Sequence, residues 1–183
     1  MKPSSRDGTN LRWHYTKSIH LSVILRDGFI KPATAGVPAG EKPIVWFSSN
    51  SQWELTAAPG IRIPGSRDRR MSMGETAQRF GLARIGVDPT VAPHEWKTLK
   101  ELSGMSSKTA ASLHEAGIRD GARPGEWWGT FEPVPRDVWR VIELWDGNHW
   151  APLAKASLGS IPSEVRLELQ RVVDSCHDEA NMR

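Results

Sequence analysis

Apolar residues alternate with polar ones in five stretches of the chain, a spacing that is typical of β-strands. The first two are LRWHYT, residues 11–16, and IVWFSS, residues 44–49. A third, LARIGVDP at 82–89, stops at a proline, which cannot continue a strand ladder. Two more, at 126–135 and 139–147, close the series, and the turn DGN leads the last into HWAPL as a predicted hairpin.

Other stretches carry apolar residues at helical spacing. Ser18 is the predicted N-cap of a first helix, and Gly28 ends it. Its apolar face consists of Leu21, Ile24 and Leu25. We expect a helical pair, inserted between strands, over 93–117, and a C-terminal helix over 161–176. SQWELTA, residues 51–57, is predicted as a turn or a helical start.

These elements predict one α+β domain over residues 1–183, with its core at about 11–150 and a mostly antiparallel sheet. The composition, with 25% charged and 38% hydrophobic residues, is typical of a globular chain. No apolar run approaches the roughly 18 residues that a membrane span needs. The polar start MKPSSRDGTN lacks the apolar core of a secretory signal, so we expect a cytoplasmic protein without membrane contact.

Several kinds of chemistry lack their signatures in this sequence. A single cysteine offers neither a disulfide pair nor a zinc cluster, and the six histidines are scattered without ligand spacing. Glycine-rich phosphate loops, the dinucleotide fingerprint and the common hydrolase and metalloprotease motifs are absent. We therefore expect no metal site.

Positive charge and tryptophan are the two compositional signals. The net charge is +3, and four arginines fall within residues 61–70, a Gly/Pro/Ser-containing stretch predicted as a loop: Arg62, Arg67, Arg69 and Arg70. This loop is either a solvated surface or a contact for phosphates of a nucleic acid or dinucleotide. Nine tryptophans accompany one tyrosine, and those at 46, 53, 127 and 128 share segments with polar residues, which suits a planar ligand as well as a core.

Four short motifs occur in an informative order: HYT at 14–16, VILRDG at 23–28, VWFSS at 45–49 and EPVP at 132–135. In this order they resemble the ADP-ribosyltransferase-like superfamily, over roughly residues 11–145. The nearest branch is the RNA 2′-phosphotransferases, together with toxin-like bacterial transferases. The resemblance implies two split antiparallel sheets around an NAD cleft.

The resemblance also implies roles for particular residues. His14 would hydrogen-bond the adenosine-side ribose of NAD and count among the catalytic residues, and Thr16 would support it. Tyr15 stands where the phosphotransferases usually have glycine, which alters the expected pocket floor. The motif VWFSS would place its residues beside the nicotinamide, with Trp46 or Phe47 stacking on the ring: Trp46, Phe47, Ser48 and Ser49.

The resemblance assigns the acid that orients the reacting ribose to Glu132, in the motif EPVP, with Glu54 as the rival. Cleavage between nicotinamide and ribose builds positive charge on the sugar, which a nearby carboxylate stabilises. Arg84 and Arg123 are candidate donors to the pyrophosphate, because a guanidinium binds phosphate in a bidentate manner; the alternative for both is an ordinary surface arginine.

These expectations together describe an NAD-dependent ADP-ribosyltransferase, an enzyme of the glycosyltransferase class that uses NAD as co-substrate and modifies a macromolecular acceptor, either protein or nucleic acid. The resemblance to toxin-like transferases suggests a toxin-like role or one in phage–host conflict. Three alternatives stay open: an RNA 2′-phosphotransferase, an NAD glycohydrolase, and a non-catalytic binding or regulatory protein on the same fold. The sequence leaves the acceptor undetermined.

Overall fold

The computed structural model of the protein describes residues 10–62, 64–65, 68–153, 166–167 and 170–171. It is a mixed α+β structure with a large antiparallel sheet, as predicted. In chain order its strands and helices are β1 Arg12–Lys17, α1 Ser18–Asp27, β2 Phe29–Ile30, β3 Val45–Ser48, β4 Gly60–Ile61, β5 Arg69–Arg70, α2 Met73–Phe80, β6 Leu82–Val87, β7 His94–Glu95, α3 Trp96–Leu102, α4 Ser107–Arg119, β8 Trp127–Thr130, β9 Val134–Pro135, β10 Trp139–Trp145 and β11 Trp150–Pro152. Short 3-10 turns occupy Leu55–Ala57, Pro124–Glu126 and Arg136–Val138.

The first strand and helix follow the sequence pattern closely, apart from the N-cap. Gly28 ends α1 in the left-handed conformation, with φ of 74°, and its N–H donates to the carbonyl of Ile24 at 2.9 Å. Ser18, the predicted cap, is instead the first helical residue, and Lys17 occupies the cap position without a side-chain hydrogen bond. The prediction of a Ser18 cap is therefore wrong: α1 follows β1 directly, and the Ser18 N–H donates to the carbonyl of Gly81 at 3.3 Å.

Seven strands form the main sheet in the order β11-β10-β6-β1-β3-β8-β7. β1 pairs with β6 at six positions and β3 pairs with β8 at four. Between β1 and β3, both described throughout, the register holds one pair, Trp13 with Ser48. The sheet is thus two well-paired halves joined at a narrow junction.

The two faces of this sheet differ in character. Residues paired across antiparallel strands share a face, so Phe47 and Ile85 lie on one face, where they pack against Leu21 and Leu25 of α1 in the apolar core. The opposite face carries Trp13, paired with Ser48 and with Gly86, and is covered in part by α3 and α4. Polar and aromatic groups concentrate on this second face.

The predicted insertion contains two helices, α3 and α4, and α3 packs against β8. Helix α2 was not predicted; it begins with a capping box, in which Ser72 and Glu75 satisfy each other's backbone N–H groups. The predicted C-terminal helix, 161–176, lies outside the described residues except at 166–167 and 170–171, which are helical.

Candidate functional site

A cavity of about 460 Å³ lies at the junction between β1 and β3. Its floor consists of three residues from each of these strands, 13–15 and 46–48, together with Trp127 of β8. Helices α3 and α4 form one wall, and the loop at 33–42 forms another. Two backbone-anchored contacts join these walls: the N–H of Lys42 donates to the carbonyl of Ser103 at 2.8 Å, and the N–H of Ser106 donates to the Glu41 carboxylate at 3.3 Å.

Glu54 is the buried carboxylate of this cavity, with 7% of its surface exposed. Its Oε2 accepts a hydrogen bond from the Ser48 hydroxyl at 2.9 Å. Its Oε1 accepts from the N–H and the hydroxyl of Thr56, at 3.1 and 2.7 Å, and from Nε1 of Trp127 at 3.3 Å. No Lys, Arg or His nitrogen of the described residues lies within 4.0 Å of this carboxylate. Neutral donors therefore hold a buried negative charge at the cavity wall.

Glu54 reaches this position because the chain turns back directly after β3. The 3-10 turn at Leu55–Ala57 begins at Glu54, whose side chain caps it through the Thr56 N–H. Arg70 fixes the far end of the same turn by donating to the carbonyls of Thr56 and Ala58, at 3.1 and 2.8 Å. The carboxylate is thus held by local backbone geometry as well as by the sheet.

Three indole rings form a continuous aromatic surface beside Glu54. The ring centres of Trp96 and Trp46 lie 6.1 Å apart, and those of Trp96 and Trp127 lie 5.3 Å apart in an edge-to-face arrangement. Gly117 allows α4 to approach closely, because a Cβ at this position would lie 2.4 Å from the Trp127 ring. Aromatic faces beside an uncompensated carboxylate favour a flat or cationic ligand group.

His14 lines the cavity and bridges the junction. Its Nδ1 lies 2.9 Å from the carbonyl oxygen of Trp46, and its ring centre lies 5.7 Å from that of Phe47. A carbonyl oxygen only accepts, so Nδ1 donates and Nε2 is the acceptor of the neutral ring. Burial lowers the pKa of His14, against the opposing effect of the Trp46 hydrogen bond, and so favours this neutral form.

Tyr15 lines the same cavity, with its hydroxyl engaged by the protein. The hydroxyl donates to the carbonyl of Asn50 at 2.6 Å, and the ring lies edge-on to Trp53 at 5.3 Å. Burial raises the pKa of Tyr15 to about 12. Tyr15 therefore connects the end of β1 to the segment that follows β3.

Of the residues assigned to NAD binding or catalysis, the cavity brings together His14, Tyr15, Trp46, Phe47 and Ser48. Thr16, Ser49, Arg84 and Glu132 are not among the described residues that line it. Glu132 is exposed, and its N–H donates to the Thr130 hydroxyl at 3.4 Å. Ser49 instead donates its N–H to the carbonyl of Glu126 at 2.9 Å.

Arg84 is a structural residue in this arrangement. Its guanidinium pairs with Glu143 at 2.5 Å and also donates to the carbonyl of Ser51. The same group lies between two indoles, 3.8 Å from the ring centre of Trp13 and 4.5 Å from that of Trp150. Its donors are thus engaged within the protein, away from the cavity.

The arginines of the predicted basic loop have carboxylate partners. Arg62 lies 3.9 Å from Asp68, Arg69 forms a bidentate pair with Glu75, and Arg70 bonds Asp120 at 2.7 Å. Arg67 lies outside the described residues. Arg123, the other pyrophosphate candidate, is exposed and lies 3.5 Å from Glu126.

Among residues 10–62, 64–65, 68–153, 166–167 and 170–171, no cluster of three or more His, Cys, Asp or Glu side chains is arranged to hold a metal ion. Over the same residues, no helix combines the length and apolar character needed to cross a membrane.

The sequence interpretation missed the helical wall of the cavity. Trp96 and Gly117 both lie within the predicted helical pair at 93–117, and nothing in their spacing relates them to the strands of the sheet. Trp127 and Glu54 were named from the sequence, but the hydrogen bond between them was not predicted.

Comparisons of the chain with protein-family models, with curated proteins and with solved structures find no match.

Proposed function

We propose that the cavity at the junction of β1 and β3 binds the nicotinamide end of NAD, and that the protein transfers ADP-ribose from NAD to a macromolecular acceptor. The observation that carries the proposal is the position of the cavity. It lies where the two halves of the sheet separate, and the segments that resemble ADP-ribosyltransferases, around His14 and around Trp46 to Ser48, both line it. The split-sheet fold of that superfamily is part of the same proposal.

The residues that line the cavity match the shape and charge of the nicotinamide end of NAD. The nicotinamide ring of NAD is flat and positively charged, so indole faces and a buried carboxylate both favour it. Trp46 and Trp96 provide the aromatic faces, and Glu54 provides the charge. A neutral His14, with Nδ1 held by Trp46, offers Nε2 as an acceptor for a ribose hydroxyl.

We assign the catalytic carboxylate to Glu54 in place of Glu132. Loss of nicotinamide leaves positive charge on the ribose, and a fixed carboxylate in a water-poor site stabilises that charge more than an exposed one. Ser48, Thr56 and Trp127 fix the orientation of Glu54, whereas Glu132 lies in solvent. Ser48 is a positioning residue in this assignment, since it acts through Glu54.

The second candidate is a non-catalytic protein that binds NAD or another flat cation in the same cavity. The four hydrogen bonds already made by Glu54 favour it, because each draws negative charge from the carboxylate toward protein donors. In this case the carboxylate would give affinity for the cation without turnover.

The test applies the same substitution, glutamate to glutamine, to Glu54 and to Glu132. Nicotinamide release from NAD is measured with the purified protein, alone and with cell lysate, for wild type, Glu54→Gln and Glu132→Gln. We expect Glu54→Gln to lower the rate by about 100-fold or more, the usual effect of removing a transition-state partner, and Glu132→Gln to leave the rate unchanged. Release without lysate would identify a glycohydrolase, and labelled NAD would reveal a modified acceptor.

Two results would overturn this assignment. A larger loss in Glu132→Gln than in Glu54→Gln would return the catalytic role to Glu132. NAD binding without any release in lysate would favour the non-catalytic candidate, and absence of NAD binding would reject both.

A further inference from the structure

The carbonyl groups of three successive residues, 50–52, each accept a hydrogen bond from a side chain of a different strand. The Tyr15 hydroxyl, from β1, donates to the first carbonyl at 2.6 Å, and the Arg84 guanidinium, from β6, donates to the second. Nε1 of Trp150, in β11, donates to the third at 2.9 Å. These three side chains form a carbonyl clamp on the segment that leads from β3 to Glu54.

Arg84 is the central residue of the carbonyl clamp. It is buried, and its guanidinium pairs with Glu143 at 2.5 Å. The same group lies 3.8 Å from the ring centre of Trp13 and 4.5 Å from that of Trp150. It also interacts with the hydroxyl of Tyr15. Arg84 therefore contacts both of the other side chains of the carbonyl clamp.

The carbonyl clamp lies on the face of the sheet that carries the cavity. Tyr15, Arg84 and Glu143 are paired in one row across β1, β6 and β10, so their side chains share a face. Trp13 precedes Tyr15 by two residues and lies on that face too, and both line the cavity. Arg84, which is not among the described lining residues, acts on the cavity through its neighbours.

The Arg84–Glu143 pair is not explained by stability alone. Burying two charges costs free energy that their attraction only offsets, so well-packed apolar residues would hold β6 and β10 together as well or better. Apolar residues could not donate to the Ser51 carbonyl. A guanidinium can, because its planar fork reaches a second acceptor while it is paired with a carboxylate.

We infer that Arg84 is a positioning residue, which holds the segment 50–52 through the carbonyl clamp and so sets the direction in which Glu54 enters the cavity. The inference rests on the proposed function where it concerns catalysis. Glu54 follows the clamped segment by two residues, and its hydrogen bonds with Ser48 and Trp127 depend on where that segment ends. A shift of the segment would displace the carboxylate without removing the aromatic faces that bind NAD.

The position of Glu54 is observed first, in the full-length protein without NAD. The indole N–H resonance of Trp127, identified by its disappearance in Trp127→Phe, reports the hydrogen bond to Glu54. We expect Arg84→Lys to shift this resonance, because one ammonium group cannot replace the planar fork of the guanidinium.

Two further variants separate positioning from stability. Leu144→Ala removes a buried side chain of the apolar core next to Glu143, on the opposite face of β10. It should lower the free energy of unfolding and leave the Trp127 resonance in place. Arg84→Met combined with Glu143→Leu buries no unpaired charge, so it serves if Arg84→Lys does not fold, and it should shift the resonance as well.

Nicotinamide release from NAD then tests the catalytic consequence. We expect Arg84→Lys to lower kcat by about tenfold to 100-fold with little change in KM, because Glu54 acts on charge that develops in the transition state. Leu144→Ala should keep the wild-type kcat while it is folded. In the Glu54→Gln background Arg84→Lys should lower the rate no further, since a positioning residue acts only through the group it positions.

An unmoved Trp127 resonance in both Arg84 variants, or an equal shift in Leu144→Ala, would overturn the inference. So would the same loss of rate from Arg84→Lys with and without Glu54→Gln, which is the result of a purely structural role. The two proposals fail separately. A shifted resonance in a protein that does not cleave NAD rejects the proposed function alone, and NAD cleavage with wild-type kcat in both Arg84 variants rejects this inference alone.

Discussion

The side chain of Tyr15 shows how one buried hydroxyl joins two segments. Its hydroxyl donates to the Asn50 carbonyl, and its ring lies against Trp53 and Trp150. Removing the hydroxyl leaves a carbonyl without its donor and also removes the interaction of the hydroxyl with Arg84. At neutral pH we expect Tyr15→Phe to lower the free energy of unfolding by about 1 kcal/mol, measured by denaturant titration.

The same side chain predicts a pH dependence. The pKa of Tyr15 is raised by burial to about 12, above the ordinary value of about 10. Between these two values the unfolded chain releases the proton and the folded chain holds it, so stability is fully present below about pH 10 and falls as the pH rises toward 12.

Because the chain has one tyrosine, tyrosinate absorbance reports this group alone. We expect a titration midpoint near 12 in the folded protein and a flatter stability profile above about pH 10 in Tyr15→Phe. A midpoint near 10 in the folded protein would show that Tyr15 is accessible to solvent.

At the residue scale, the sequence identified two candidate catalytic carboxylates but not which of them lies in the cavity. Glu54 and Glu132 both follow strands and both lie near aromatic residues. What separates them is burial, which depends on a 3-10 turn that returns Glu54 to the sheet and on an indole N–H from β8. The capping of the turn by Glu54 is local, but the contact with Trp127 joins residues far apart in sequence and has no local pattern.

At the scale of elements, the packing of α4 on β8 depends on one glycine. A methyl group at Gly117 would lie 2.4 Å from the Trp127 ring, so Gly117→Ala forces the helix or the ring to move. We expect a loss of about 1–3 kcal/mol in the free energy of unfolding and a change in the cavity that weakens ligand binding.

Gly74→Ala is the matched control for this prediction. Gly74 lies in α2 with nothing within 4 Å of the added methyl group, so stability should stay the same or rise slightly. Because Trp127→Phe removes the hydrogen bond to Glu54, the double variant Gly117→Ala/Trp127→Phe is compared with Trp127→Phe alone; Gly117→Ala should cost less in that background than in the wild type, since the smaller ring leaves room. Equal stability of the two alanine variants would show that α4 does not pack as closely as described.

Helices and strands were predicted correctly where the alternation of apolar and polar residues extends over many positions. β1, β6 and β10 match their alternating stretches, and α3 and α4 match theirs. The two-residue strands β2, β4, β5 and β7 were missed, because two residues contain no period. The predicted strand at 126–135 is divided in the structure into β8 and the two-residue strand β9. α2 was missed because it is largely polar and its buried position is a threonine, Thr76.

At the scale of the whole molecule, the order of strands determines where a site can form. β1 and β3 are separated in sequence by a helix and a long loop, so no spacing predicts that they meet at one registered pair. The fold class was predictable from composition and periodicity; the junction was not, because it depends on long-range pairing. The resemblance implied a cleft between two sheets, whereas β1 and β3 belong to one seven-stranded sheet with a narrow junction between them.

The narrow junction also predicts how the sheet opens. Local opening begins where fewest interactions must break, and the β1–β3 boundary has one registered pair against six between β1 and β6. We therefore expect native-state hydrogen exchange to be faster in the segment 45–48 than in the segment 82–87, whose residues are buried throughout.

A ligand that spans the junction should narrow this difference in exchange rate. His14 from β1 and Trp46 from β3 both line the cavity and would hold such a ligand from the two halves, so opening would require its release. Saturation with ADP-ribose should slow exchange in 45–48 strongly, while exchange in 82–87 slows only as far as global stability rises. Equal slowing of both segments would mean that binding stabilises the fold as a unit without joining its halves, and faster exchange in 82–87 in the free protein would contradict the division of the sheet itself.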